Sequence, residues 1–254
     1  MFGRLFGKEQ PERPAHLDVC HGASVFQVQL KRASSARRYT LRVRAASRDV
    51  VLTMPARGTM AAAREFVQRH AEWIDTRLKV LPAQTRLLPG ALVPVRGVEH
   101  RIVHRPNVRK PVWIERGDAA HSSGAAVLVC VSGDASHVER RLLDYLKREA
   151  KRDLDGAVAY YTGKIGKPAR QITVRDTTSR WGSCSSKGCL NFSWRLILAP
   201  GFVLDYIAAH EVAHLVHMNH AEPFWALTKS LVPDYERAEI WLKLNGAGLH
   251  CFGP

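Results

Sequence analysis

Residues 210–214 read H-E-V-A-H, and few pentapeptides narrow the choice of fold as far as this one does. On an α-helix, residues four apart lie one turn above one another, so His210 and His214 share a face from which two imidazoles can hold one metal ion. Glu211 is their neighbour at the edge of the turn, within reach of a water on that ion without taking a ligand position. Val212, Ala213 and Leu215 are apolar, so the helix has to be buried. The chain must therefore fold a core around a polar cluster. The chemistry such a pattern serves is metal-assisted hydrolysis. Zinc lowers the pKa of a bound water to about 7, the adjacent carboxylate takes its proton, and the ion polarises the carbonyl under attack.

Two imidazoles leave the ion short of one protein ligand, and His217, His220, Glu222, Asp234, Glu236 and Glu239 follow in the sequence. His217 lies seven residues from His210 but would have to reach one turn past both ligands. If a helix over about 202–218 ends at Met218–Asn219, with Asn219 tolerating the left-handed conformation, the chain folds back and His220 approaches from outside. The spacing H-E-x-x-H-x5-H is that of metzincins, with His217 at their turn glycine. His220 is the expected third ligand and Glu239, on a later helix, the second choice, giving one Zn2+ per chain.

The 254 residues, 46% hydrophobic, suffice for one large domain or two small ones. No apolar run approaches the roughly 18 residues that cross a bilayer, and the charged N-terminus lacks the apolar region of a signal peptide. Five cysteines are an odd number in a chain too large to need disulfides, which fits a reducing cytoplasm and no membrane partner. Charge is distributed unevenly. Residues 1–110 hold 21 Lys+Arg against 8 Asp+Glu, a net of +13, and residues 111–254 hold 17 against 15, a net of +2. Such a field favours polyanions, nucleic acid among them, although a basic solvated face is the plain alternative.

Residues 1–15 read as a flexible arm. In residues 16–133, "SVFQVQLKR", "RRYTLRVRA" and "DVVLTMP" alternate apolar and polar residues and predict an antiparallel sheet. Arg38, Arg42 and Arg44 then share one strand face. With Arg37 they are the candidate nucleic-acid contacts, among seven Lys and Arg within residues 31–48. Thr59 caps one helix running to about Lys79, with Phe66, His70, Trp73 and Ile74 in its buried stripe. The strands over 92–131 are expected to extend or oppose the same sheet. Residues 134–254 form the expected catalytic core: a long helix with Ser136 and Glu139 in capping-box register, a hairpin of "RQITVRD" and "CLNFSWRL" about the turn "GSCSSKG", the histidine helix, and two short helices, the last ending at Asn245–Gly246.

The stretch "ITVRDTTSRWGSCSSKGCLNFSWRLILAPGFVLDYIAAHEVAHLVHMNHAEPFWALTKSLVPDY" resembles the YgjP-like zinc metallopeptidase domain, through "RWGSCSSKG", "W-R-L", "AP", "DY", "HE--H" and "MNH---FW". The similarity is specific over residues 170–245 and extends more weakly toward about residue 20. It departs from the expected forms at Asn191-Phe192-Ser193-Trp194 and at Ala221. The resemblance implies an α+β, gluzincin-like fold in which the active-site helix packs beside an antiparallel hairpin. It also implies His210, His214 and His220 on zinc, Glu211 as the catalytic group, and kinship with SprT-like proteases, which cut proteins attached to DNA.

Between the resemblance and the residues, the expected substrate is a protein or peptide, added as a strand to the free edge of "CLNFSWRL". Arg180, Trp181, Asn191 and Arg195 are the candidate substrate contacts, an arginine being suited to an oxyanion. Trp181 and Trp194 read first as core aromatics. Asp205 either orients a ligand imidazole or is an ordinary carboxylate near a helix N-terminus, and Cys184 and Cys189 read as ordinary thiols. Two other functions use the same residues: a nucleic-acid-associated module with a structural zinc, and a zinc amidohydrolase acting on a non-peptide amide. Glu211 argues against the first, because a structural site closed by four ligands has no use for an unligated carboxylate.

Overall fold

Alternation of apolar and polar side chains sets the first strands. In β1 (His16–His21) Leu17 and Val19 are buried while Asp18 and Cys20 face out, and a two-residue turn at Gly22, left-handed at φ +56°, returns the chain into β2 (Ser24–Ala33). β3 (Thr40–Val43) forms the outer edge and β4 (Val50–Pro55) fits between it and β2, in the order β1-β2-β4-β3. Because β3 is laid outside β4, β4 runs parallel to β2, with Val28 beside Val50. The sheet is thus mixed, not antiparallel. The computed structural model describes residues 16–44, 47–81, 83–117 and 127–253, so the expected arm lies outside the described residues.

Two helices, not one, pack on this sheet: α1 (Met60–Arg69), whose N-cap Thr59 accepts from the Ala62 N–H, and α2 (Ala71–Val80). His70 makes the break. Its Nδ1–H donates to the Phe66 carbonyl at 2.7 Å, the acceptor that a continuing helix would give to the His70 backbone N–H, and that N–H turns to Val67 instead. The helical phase carries through the break, since Ala63, Val67, Ala71 and Ile74 are buried at i, i+4, i+8 and i+11. Ala71 and Ile74 enter the core with Val28, Leu52, Met54 and Val67, while Trp73, expected inside, is 46% exposed.

The chain forms two compact units, Met1–Leu81 and Pro82–Pro254, so the strands over 92–131 do not join the first sheet. In the second unit β5 (Leu92–Val95), β6 (Val98–His104), β7 (Val112–Arg116) and β8 (Val127–Val131) make their own mixed sheet, ordered β5-β6-β8-β7. Val93, Ile102 and Val129 share one core with α3 (Val138–Ile165), which buries Val138, Leu142, Leu146, Ala150, Leu154 and Val158 at helical spacing. The region 16–133 is therefore divided at residue 81. A 3₁₀ turn over Ala135–His137 opens α3, capped by Asp134 through the Ser136 N–H. Glu139 bonds Arg86 and the Leu87 N–H, so the expected capping box is not made. Gly166, left-handed at φ +65°, closes α3.

Next come β9 (Gln171–Arg175), β10 (Gly182–Cys184) and β11 (Cys189–Ser193), a 3₁₀ turn over Trp194–Leu198, α4 (Gly201–Ala213), α5 (Glu222–Leu231) and α6 (Tyr235–Leu249). The hairpin is β10 with β11, Gly182 opposite Phe192. β9 pairs parallel with β11 and not as its hairpin partner. α6 runs past Asn245–Gly246 to Leu249, and Gly246 faces the Trp181 ring, which a Cβ there would meet at 3.1 Å. The fold is α+β, with small mixed sheets and, among the described residues, six α-helices. Among the described residues, no helix is long and apolar enough to cross a membrane.

Candidate metal centre

α4 is buried on nearly every side, with Val203, Leu204, Ile207, Ala208, Ala209 and Val212 in the core, so its histidines are held on a rigid axis. It ends at Ala213, five residues before the expected stop. The His217 N–H still bonds the Ala213 carbonyl, but the Lys167 ammonium takes the Leu215 carbonyl and the chain turns back. That early turn brings His220 to the helix. One ligand atom from each of His210, His214 and His220 lies within 4.8 Å of the others, and Nε2 of His220 is 3.2 Å from Nε2 of His210.

The outer nitrogens fix the tautomers. His214 Nδ1–H donates to the His217 carbonyl at 3.0 Å, leaving Nε2 with a lone pair. Tyr206 donates its hydroxyl proton to Glu239 Oε1 at 2.8 Å, so its oxygen is an acceptor for His210 Nδ1–H at 3.3 Å. Burial first, then His214 and His220, push His210 down to about 4, and burial also lowers His214. Both are neutral at pH 7, as metal ligands must be. Phe224 packs against all three rings, at 4.5 Å from His214, 4.7 Å from His220 and 4.9 Å from His210 between centroids. The donor set and its supporting hydrogen bonds fit a divalent cation with one side left for a reactant. Among the described residues this is the one such cluster of possible ligands.

Glu211 stands beside the cluster, 5% exposed, with Oε2 buried and without a hydrogen-bond partner. Burial pushes its carboxyl up to about 7, the Arg180 charge working against the rise. Gly182 leaves it room, since a Cβ at that position would lie 2.5 Å from Oε1. A cleft of about 300 Å³ opens on these groups, lined by Arg180, β10, Met218 and the histidines. Cys184 lines it too, its thiol raised to about 11 by burial and by Glu211, and all five cysteines are unpaired.

The expected site residues separate into two groups. His210, Glu211, His214, His220 and Arg180 line one cleft. Arg195 does not: it is 2% exposed, donates to Asp176 Oδ1 at 2.9 Å and to the carbonyls of Leu249 and Phe252 at 3.2 and 2.6 Å, and so belongs to the core. Trp181 stacks on His250 at 4.9 Å and packs on the core. Asn191 sits on β11, which is paired on both sides and offers no edge. The unpaired edge near the cleft belongs to β10. Glu239 acts on His210 through Tyr206, not as a ligand, His217 contributes its carbonyl, and Asp205 accepts from Tyr161 at 2.5 Å instead of orienting an imidazole. Tyr206 and Phe224 were not singled out as site residues. The i, i+4 spacing of Tyr206 and His210 is the one sequence signal that pointed to the first.

In the first unit Arg37, Arg38, Arg42 and Arg44 are all exposed, on the edge strand β3 and beside it.

No curated protein matches the chain significantly in sequence. Among solved structures, the metallopeptidase zymogen abylysin of Pyrococcus abyssi is similar over 36% of this chain and 95% of that one, at 19% identity and a TM-score of 0.33. A family model, that of the YgjP-like metallopeptidase domain, matches residues 37–245, and the chain belongs to that family.

Proposed function

We propose that the chain is a zinc-dependent peptidase of the zincin type, with His210, His214 and His220 holding the ion and Glu211 as general base. The observation that carries this reading is a buried carboxylate oxygen without a partner, set beside three imidazoles whose nitrogens converge. Their closest pair, at 3.2 Å, matches the separation of about 3.3 Å between two nitrogens on one tetrahedral zinc. When bound, zinc would supply Lewis acidity, polarising a carbonyl and making a water acidic near neutral pH.

The chain's own groups divide the remaining work. Glu211 takes the proton of the attacking water and returns it to the leaving amine. Arg180, in the same cleft, neutralises the developing oxyanion. An extended substrate pairs with the free edge of β10, the strand that α4 packs against. With all cysteines unpaired, the activity belongs in the reducing cytoplasm.

The test is cleavage of an unfolded protein by zinc-loaded wild type and by Glu211→Gln, with bound zinc measured in both. Glu211→Gln keeps its zinc and loses about 100-fold or more in turnover. Equal turnover in the two proteins would remove Glu211 from the mechanism. A zinc-loaded wild type inert on protein would redirect the search to other amides.

A further inference from the structure

The first unit holds a second pocket, of about 340 Å³, at the small end of the roughly 300–1,000 Å³ range of ligand sites. Tyr39, Phe66, His70 and Trp73 line it together with Arg38, Thr40 and Leu41. The Phe66 ring lies 5.6 Å from Tyr39 in a stacked arrangement and 4.4 Å from His70. Trp73 lies at the surface, 46% exposed, off the face by which Ala71 and Ile74 enter the core. A large exposed aromatic beside an aromatic floor is costly in water unless something covers it.

The surrounding charge indicates what does. Arg38 lines the pocket, Arg37 precedes it in the chain, Arg42 lies on the edge strand and Arg44 directly follows that strand. All four are exposed, and none of their side chains has an ion-pair or hydrogen-bond partner among the described residues. No carboxylate lines the pocket. Flat apolar rings next to unneutralised guanidinium groups match a ligand that alternates planar rings with negative charges at short spacing. Single-stranded nucleic acid is that ligand, since every base has a stacking face and every linkage a charge. A duplex keeps its bases paired and offers none to such a pocket.

We propose that the first unit binds single-stranded nucleic acid, with one base stacked in the Tyr39–Phe66–Trp73 pocket and the backbone on Arg37, Arg38, Arg42 and Arg44. The assignment is independent of the peptidase reading, because it is read as binding and not as cleavage.

The experiment uses the full chain and labelled oligothymidine and oligouridine, with an abasic oligomer of equal length and a duplex as controls, at several salt concentrations. Both base-bearing strands bind, and the tighter of the two identifies the sugar preferred. Trp73→Ala weakens them at least about fivefold, and Trp73→Phe restores most of the loss. Arg37→Ala with Arg38→Ala flattens the dependence of log affinity on log salt by about 1.4. Thermal melting shows that these surface variants fold. No binding of either strand, abasic or duplex probes binding as tightly as thymidine, or an unaltered affinity in Trp73→Ala would each overturn the proposal.

Discussion

Arg42, on the edge strand of the first unit, and Arg195, just after β11 in the second, are the same side chain put to opposite uses. Arg195 is enclosed, its guanidinium divided among Asp176 and two backbone carbonyls far along the chain. Arg42 is exposed, and its guanidinium has no partner among the described residues. A buried guanidinium is fixed in number and direction of bonds, so it specifies structure. An exposed one contributes charge to whatever approaches. A count of basic residues treats the two alike, and the difference separates a unit built around a rigid site from one that presents a charged edge.

The contrast can be broken at four points. Arg195→Met removes the donor to the Leu249 and Phe252 carbonyls and the partner of Asp176, and stability falls by about 3–5 kcal/mol in denaturant titration. A loss near zero would place Arg195 with the surface arginines. Tyr206→Phe keeps the ring but takes away the oxygen that accepts from His210 and the proton given to Glu239. Zinc affinity then drops about 10- to 100-fold in chelator competition, with the fold intact.

Asp176→Asn tests the same buried arginine by pH. Burial alone would raise the Asp176 carboxyl, but the bonds and charge of Arg195 outweigh it and hold it below the ordinary carboxylate range. A carboxyl depressed in this way stabilises fully above its unfolded value of about 3.9, and the contribution is lost as pH falls through the lower folded value. Melting temperature against pH is therefore steeper for wild type than for Asp176→Asn in that acid window, and the two curves run parallel above about pH 5. The smallest effect is that of Arg42→Ala, within about 0.5 kcal/mol of wild type in stability.

The histidine pair was legible because a contact four residues apart is built into any helix. His220 was legible as a candidate, but the turn that delivers it was not. Leu215, Val216 and Met218 continue an apolar pattern, and Lys167, which binds the Leu215 carbonyl beyond the helix end, comes from 48 residues earlier. Alternation located β9 and β11, yet a period of two residues says nothing about the partner strand, so the parallel pairing of β9 with β11 and the loss of a free edge on β11 were hidden. Arg195 was misread for a similar reason. Its partners at 176, 249 and 252 are remote in sequence, and an arginine near a site looks the same whether it faces substrate or core. At His70 the sequence held the answer in local form, but an imidazole capturing a carbonyl of its own helix leaves no mark on hydrophobic periodicity.

The bonds of Arg195 also impose an order on synthesis. Two of its acceptors belong to residues 249 and 252, so while a ribosome is still translating the last helix this guanidinium has Asp176 but not those two carbonyls to offset its burial. The turn that carries Arg195 leads directly into α4. The histidine helix thus gains its full support only after Phe252 has cleared the exit tunnel, and a nascent chain arrested short of that point carries the H-E-V-A-H sequence without the completed core that aligns it.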